Sequence, residues 1–200
     1  MKPRSSSTAI HRAVVITGTP GTGKTATSKM LAEEIGAAYF SLNQFVITNR
    51  VYSSLDRQRH TRVIDIEKTK RLMTEALSKG KTMAIIDTHI PDAIPRNYVK
   101  RVIVLRCHPR ALERRLQRKR WSARKIRENV LAEILDSCYV SALGYYGAKK
   151  IVQIDTSKTS VRKSAGQAKL VILNRIAGAR GVDWIKTLRR EHNLERYLST

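Results

Sequence analysis

Acidic residues are scarce in this chain. Sixteen Asp and Glu face thirty-nine Lys and Arg, a formal net charge of +23. Solubility needs far less, and such a field attracts polyanions at long range: nucleic acid, ribonucleoprotein or acidic protein tails. Charge by itself names no partner and equally describes a solvated basic surface. Cysteine is also scarce. Cys107 and Cys138 have no metal-ligand spacing, which excludes a disulfide framework and suits a reducing cytoplasm. No apolar run approaches the roughly 20 residues of a membrane span. The N-terminal "MKPRSSSTAIHR" has charge but no apolar stretch behind it, so 1–11 reads as a flexible tail and not as a secretory signal. No internal repeat or low-complexity linker interrupts the chain.

What is present suits one folded unit. Two hundred residues, 42% of them hydrophobic, can bury a sizeable core. Short apolar runs at 12–17, 39–42, 83–87, 101–105 and 151–155 read as strands, and their near-continuous apolar character fits a parallel sheet buried on both faces. Helical patterns lie between them. One spans Lys24 to Ile35 and stops at Gly36; one lies around 64–78; one opens at Pro109; a long one follows Ser122 and carries Ile126, Val130, Leu131, Ile134 and Leu135. This alternation predicts a doubly wound α/β domain with a parallel sheet flanked by helices. A last helix before residue 178 would pack on the sheet. Beyond "GARG", residues 179–200 read as a basic helical extension with Trp184, Ile185, Leu188, Leu194, Tyr197 and Leu198 as its apolar contacts.

The chemistry is concentrated in "GTPGTGKT", Gly18 to Thr25, which fits G-x-x-x-x-G-K-[ST] between a strand and a helix. Gly18, Gly21 and Gly23 let the backbone wrap phosphate with its N–H groups pointing inward at a helix N-terminus. Lys24 would meet the β- and γ-phosphates, Thr25 would place its hydroxyl on Mg²⁺, and the Ala26 amide would reach the α-phosphate. Asp87, closing "MAIID", is the expected second carboxylate, holding Mg²⁺ through water. His89 lies two residues on, where it would orient or deprotonate a water, although a loop histidine is commonly a plain surface residue. A GTPase would show Asp-x-x-Gly and Asn-Lys-x-Asp, and neither is present. An AAA-type motor would show Asp-Glu where this chain has Asp87-Thr88, and a helical lid domain larger than the remaining chain supplies. Small size and basic helices suit a nucleoside-monophosphate-kinase-like protein, in which cationic side chains close over the transferring phosphate. Segment 106–127 holds ten Lys or Arg and one acid, Glu113. As a lid it would bring Arg115, Arg118 and Lys119 toward the phosphates with Trp121 at the hinge; as a solvated face it would do none of this.

Together "TGTPGTGKTATSKMLAEEIG", "IIDTHIPDAIP", "VIVLRCHPRALERRLQRKRW" and "KIRENVLAEIL" resemble the small archaeal and eukaryotic adenylate-kinase-like ATPases that act in small-ribosomal-subunit maturation, over about residues 12–176. The resemblance implies a P-loop kinase fold with a five-stranded parallel sheet, adenylate kinase and ATPase activities, and Mg²⁺ with ATP. It also implies a role in late rRNA processing, a platform ribosomal protein or rRNA as partner, and an archaeal-type cytoplasm (a nucleus if eukaryotic). It places ATP phosphates on Gly21, Gly23, Lys24, Thr25 and Ala26, a Walker-B-like element on Asp87 and His89, an AMP-binding segment at about 41–64 and a lid at about 118–128 with Lys119 among its phosphate contacts. Two departures stand out: Gln44 occupies a position where the family usually has Asp, and Lys119-Arg120-Trp121 stands where the lid usually reads Arg-Gly-aromatic. They leave the ATP half of the site unchanged. They also open an alternative, a nucleotide-switched ribosome-assembly adaptor with little AMP kinase activity.

Overall fold

Five short apolar runs line up as one parallel sheet. The computed structural model describes residues 13–56, 61–175 and 181–198; the expected tail at 1–11, residues 57–60 of the AMP-binding-like segment, 176–180 and 199–200 lie outside them. In chain order the strands are β1 (Ala13–Thr17), β2 (Ala38–Ser41), β3 (Tyr52–Asp56), β4 (Thr61–Ile64), β5 (Ala84–Asp87), β6 (Val99–Arg106) and β7 (Ile151–Asp155). The main sheet runs β2-β5-β1-β6-β7, and β3 pairs with β4 as a separate antiparallel hairpin. Every pairing in the main sheet is parallel, with Ile16 beside both Asp87 and Ile103. Parallel strands send all their carboxyl ends to one edge, where ligands of such sheets bind.

The helices are α1 (Lys24–Ile35), α2 (Leu42–Thr48), α3 (Ile66–Lys79), α4 (Pro109–Arg118), α5 (Ala123–Ile134), α6 (Ser137–Tyr146), α7 (Val161–Ile172), α8 (Trp184–Arg190) and α9 (Leu194–Leu198). Strand β1 shows why its run is unbroken: Ala13 and Val15 join a core with Leu42, Val46, Met73, Leu77 and Tyr146 from α2, α3 and α6, while Val14 and Ile16 join one with Leu31, Ala165, Ala168 and Val171 from α1 and α7. A third cluster stands off the sheet, where Leu112 and Leu116 of α4 meet Val130, Ile134, Leu188 and Tyr197.

Four boundaries differ from the sequence pattern, each for a local reason. Strand β2 stops at Ser41 because that side chain accepts a hydrogen bond from the Gln44 amide and caps α2. The pattern at 64–78 divides into β4 and α3, since Asp65 accepts from the Lys68 amide and starts the helix there. The long pattern after Ser122 breaks at Asp136, which adopts a left-handed φ of 57°, and α6 continues at a new angle. The C-terminal extension is two short helices separated by His192, itself at φ 53°.

Candidate active site

The loop between β1 and α1 has its shape imposed from beneath. Gly21 has a φ of +97°, and a Cβ there would come within 2.8 Å of Leu112 Cδ1 and Leu116 Cδ2 of α4. No side chain fits, so the backbone rests directly on α4. Gly23, also left-handed, caps α1 without a side-chain hydrogen bond, which leaves the first-turn amides pointing outward. Thr25 and Ala26 on that turn are exposed, as a mouth for a solvated anion requires. The loop is pinned at two places: Thr19 Oγ1 donates to Glu133 Oε2 at 2.5 Å, and Thr156 Oγ1 lies 2.9 Å from the Thr22 carbonyl. Inside it the Thr22 hydroxyl donates to the Thr19 carbonyl at 2.9 Å, and the Lys24 ammonium donates to the same carbonyl at 3.3 Å.

Strand β5 delivers the second half. Its register beside β1 carries Asp87 to the loop, where Thr25 Oγ1 donates to Asp87 Oδ2 at 2.5 Å. The Tyr39 hydroxyl approaches the same oxygen at 3.4 Å, and burial and the neighbouring carboxylate both raise its pKa. A hydroxyl and a carboxylate side by side are hard oxygen donors of the kind that Mg²⁺ takes alongside substrate phosphates. Among the described residues no cluster of three or more His, Cys, Asp or Glu could hold a metal by itself. Thr25 and Asp87 would need further oxygen donors, such as phosphate or water, to complete the shell of a Mg²⁺ ion.

Lys24 and His89 border this pair. Burial lowers the pKa of Lys24, Lys119 lowers it further, and Asp87 opposes both. His89 is exposed, but desolvation on its inner side and the Lys24 charge lower its pKa, with Asp87 pulling back. The imidazole is thus neutral at neutral pH. Cys138, at the start of α6, lies against this corner with its sulfur 4.0 Å from the His89 carbonyl; burial raises its pKa and keeps it a thiol.

The expected basic residues divide. Lys119, the C-cap of α4, sits close enough to Lys24 to disfavour that residue's charge. Arg115 is engaged with its Nη2 donating to the Thr156 carbonyl at 2.6 Å, so it fastens the β7–α7 loop. Trp121 packs on the third apolar cluster, with the Lys125 ammonium 4.3 Å from its ring centroid. Gln44 is exposed, and its side chain turns along α2 to Thr48.

Sequence reasoning missed what holds the loop from behind. Arg106, fully buried at the end of β6, donates from Nε to Glu133 Oε1 at 2.9 Å, from Nη1 to Gln153 Oε1 at 2.7 Å, and from Nη2 to Asp136. Glu133 also accepts from the Cys107 amide at 3.0 Å and from Trp184 Nε1 at 2.9 Å. The available signal was an acid at 133 on the apolar face of α5, between Val130 and Ile134.

Comparison with known proteins follows this geometry. The family described as "AAA domain" matches residues 14–136, from β1 to the end of α5. A protein of Methanocaldococcus jannaschii named "Putative adenylate kinase" is 33% identical over 86% of this chain and 92% of its own. A protein of the same name from Saccharolobus solfataricus is 32% identical over 91% and 92%. Among solved structures, shikimate kinase from Acinetobacter baumannii aligns with a TM-score of 0.57 at 16% identity, covering 82% of this chain and 94% of that one. The shikimate kinase of Bacteroides thetaiotaomicron aligns at 0.53 and 16%, covering 81% and 98%. At such identities the solved structures speak for the fold, a parallel five-stranded P-loop kinase sheet, and the archaeal relatives speak for descent. This chain belongs to the P-loop, nucleoside-monophosphate-kinase-like family that contains those archaeal proteins.

Proposed function

We propose that the chain is a Mg²⁺-dependent phosphotransferase that uses ATP, phosphorylating AMP to give two ADP and hydrolysing ATP when the acceptor is water. The observation that carries this reading is the 2.5 Å pair of Thr25 and Asp87 beside Lys24, at the start of a helix whose first turn has no side-chain cap. The names of the archaeal relatives support the adenylate acceptor. On this reading Gly21, Gly23, Lys24, Thr25 and Ala26 bind the ATP phosphates. Lys24 leaves the Thr19 carbonyl for the β- and γ-phosphates, whose charge offsets its burial. Thr25 and, through water, Asp87 hold the ion; when bound, Mg²⁺ neutralises charge developing on the phosphoryl oxygens. His89, neutral, accepts a hydrogen bond from the attacking water and orients it. Residues 12–178 act as the kinase unit, with 41–64 serving the acceptor and 118–128 closing as a lid that brings Lys119 over the phosphates. Lys119 offers a point charge in place of a guanidinium fork, so the clamp on the transferring group is loose.

The test is ADP production from Mg·ATP with and without AMP. AMP is expected to raise it, and Lys24→Ala and Asp87→Ala are each expected to lower it by roughly 100-fold or more. Turnover that survives both substitutions would overturn the assignment.

A second reading is favoured by the charge of +23 and by Gln44 and the Lys119-Arg120-Trp121 run: a nucleotide-switched adaptor in small-subunit assembly whose ATPase resets its grip on a ribosomal protein or rRNA. Slow ADP production indifferent to AMP, yet lost in Asp87→Ala, would select it.

A further inference from the structure

Glu133 hydrogen-bonds to the phosphate loop through Thr19 and to the C-terminal segment through Trp184. It sits in the last turn of α5, 2% exposed. Oε1 receives Arg106 Nε, the Cys107 amide and Trp184 Nε1; Oε2 receives Thr19 Oγ1. Three donors converge on Oε1 and fix where the carboxylate lies, and that placement sets where Oε2 meets Thr19. Each donor therefore depends on the others being in place. Thr19 matters because its carbonyl is the internal anchor of the loop, receiving the Thr22 amide, the Thr22 hydroxyl and the Lys24 ammonium. Trp184 in turn is held by the docked segment: its ring meets His108 edge-on at 5.3 Å, His108 pairs with Glu191 at 3.1 Å, and Leu188 and Tyr197 lie in the cluster that also supports Gly21 through Leu112 and Leu116.

We propose that Glu133 is a positioning residue through which the docked C-terminal segment, residues 181–198, holds the phosphate loop in its nucleotide-binding shape. The proposal rests on the nucleotide reading of that loop. Loss of the Trp184 donor leaves Oε1 to Arg106 and Cys107 alone, lets the carboxylate shift toward them, and loosens Oε2 from Thr19. Binding and docking are then coupled in both directions: what loosens the segment weakens nucleotide binding, and bound nucleotide tightens the segment.

Calorimetric titration with Mg·ADP, on wild type, Trp184→Phe, Glu133→Gln, the double variant and Tyr197→Phe, tests this. Trp184→Phe keeps an aromatic ring toward His108 and removes the N–H donor together with part of the buried ring that lies over Arg106. Tyr197→Phe removes a hydroxyl contact to Glu113 at 3.4 Å on the same segment, remote from Glu133. Trp184→Phe is expected to weaken Mg·ADP binding by about 5- to 10-fold, yet by less than about twofold when added to Glu133→Gln, with Tyr197→Phe near wild type. In the nucleotide-free protein, amide exchange at 19–24 is expected to quicken in Trp184→Phe and not in Tyr197→Phe. Wild type that fails to bind Mg·ADP removes the nucleotide reading and this inference with it. Wild type that binds, with Trp184→Phe unchanged or Tyr197→Phe equally weakened, removes the coupling alone. Should Glu133→Gln fail to fold, the two single variants at 184 and 197 decide the matter together with the exchange rates.

Discussion

Lys24 is charged in a place that disfavours its charge. Burial lowers its pKa and Lys119 adds to the effect, so between its folded value and 10.5 the unfolded chain binds the proton more tightly. Unfolding then releases the penalty, and the contribution of Lys24 to stability is unfavourable at neutral pH and relieved as pH rises. Lys24→Met is expected to raise the Tm of the nucleotide-free protein, to reduce the gain in Tm on going toward alkaline pH, and to abolish ADP formation; thermal melts read the first two. The trade is that of a site held for function against stability. His89 follows the same sign in another window. Its pKa is lowered by burial and by Lys24, so the neutral form dominates above 6.5 and protonation in the folded state sets in below it. Turnover is expected to be flat from about pH 6.5 up to the pH at which Lys24 begins to lose its proton, and to fall as pH drops through the lowered His89 value. His89→Ala is expected to lose roughly 100-fold and with it the acid limb of the pH–rate profile. A wild-type limb unchanged in His89→Ala would assign the titration elsewhere.

At the scale of elements, the β6 end, α5 and α6 are joined by one buried guanidinium. Arg106 meets Glu133, Asp136 and Gln153 at once, and its removal leaves a buried carboxylate short of its counter-charge. Arg106→Leu is expected to cost about 3–5 kcal/mol, read as a lower urea midpoint with unchanged slope, and Arg106→Lys to recover only part because a compact ammonium cannot reach acceptors spread around the planar five-donor fork. The same group marks where the sequence stops being readable. The five strands of the sheet, α1, α4 and α7 follow from apolar runs, Gly36 and Pro109, all of them local signals. The α5–α6 break does not, because the left-handed turn at Asp136 lies beside an ion pair with a residue 30 positions earlier. The β3–β4 hairpin has too little apolar alternation to announce itself, and α2 is a capped helix of about two turns. At the site, the loop is contiguous in the chain, and Asp87 and His89 stand at the end of an apolar run, so all could be picked out. Glu133 could not, since an acid on an apolar helix face gains meaning only once Arg106 is placed against it.

For the whole molecule the open question is what the charge of +23 is for. Ion pairs absorb few of the cations, and on α4 Arg110, Arg114 and Arg118 are exposed at a spacing of four, which sets them along one side of the helix before Lys119 and Arg120 extend the stripe. A nucleotide site needs two or three cations, so this stripe is in excess of the chemistry proposed for it. If it serves the adaptor reading, it meets a phosphate backbone, and the binding is governed by counterion release. With about five phosphates engaged on single-stranded RNA, log affinity against log salt has a slope of about −3.5, and affinity falls roughly 100-fold between about 50 and 200 mM salt. Replacing Arg110, Arg114 and Arg118 together by Gln is expected to reduce the slope by about 2 while leaving the melting temperature near wild type, because none of the three is buried. Fluorescence anisotropy of a labelled RNA, across a salt series and with Mg·ATP or Mg·ADP present, measures both slope and nucleotide dependence. An affinity indifferent to salt, or a slope that the triple substitution does not change, would remove the α4 stripe as a polyanion surface and leave the charge to the solvent.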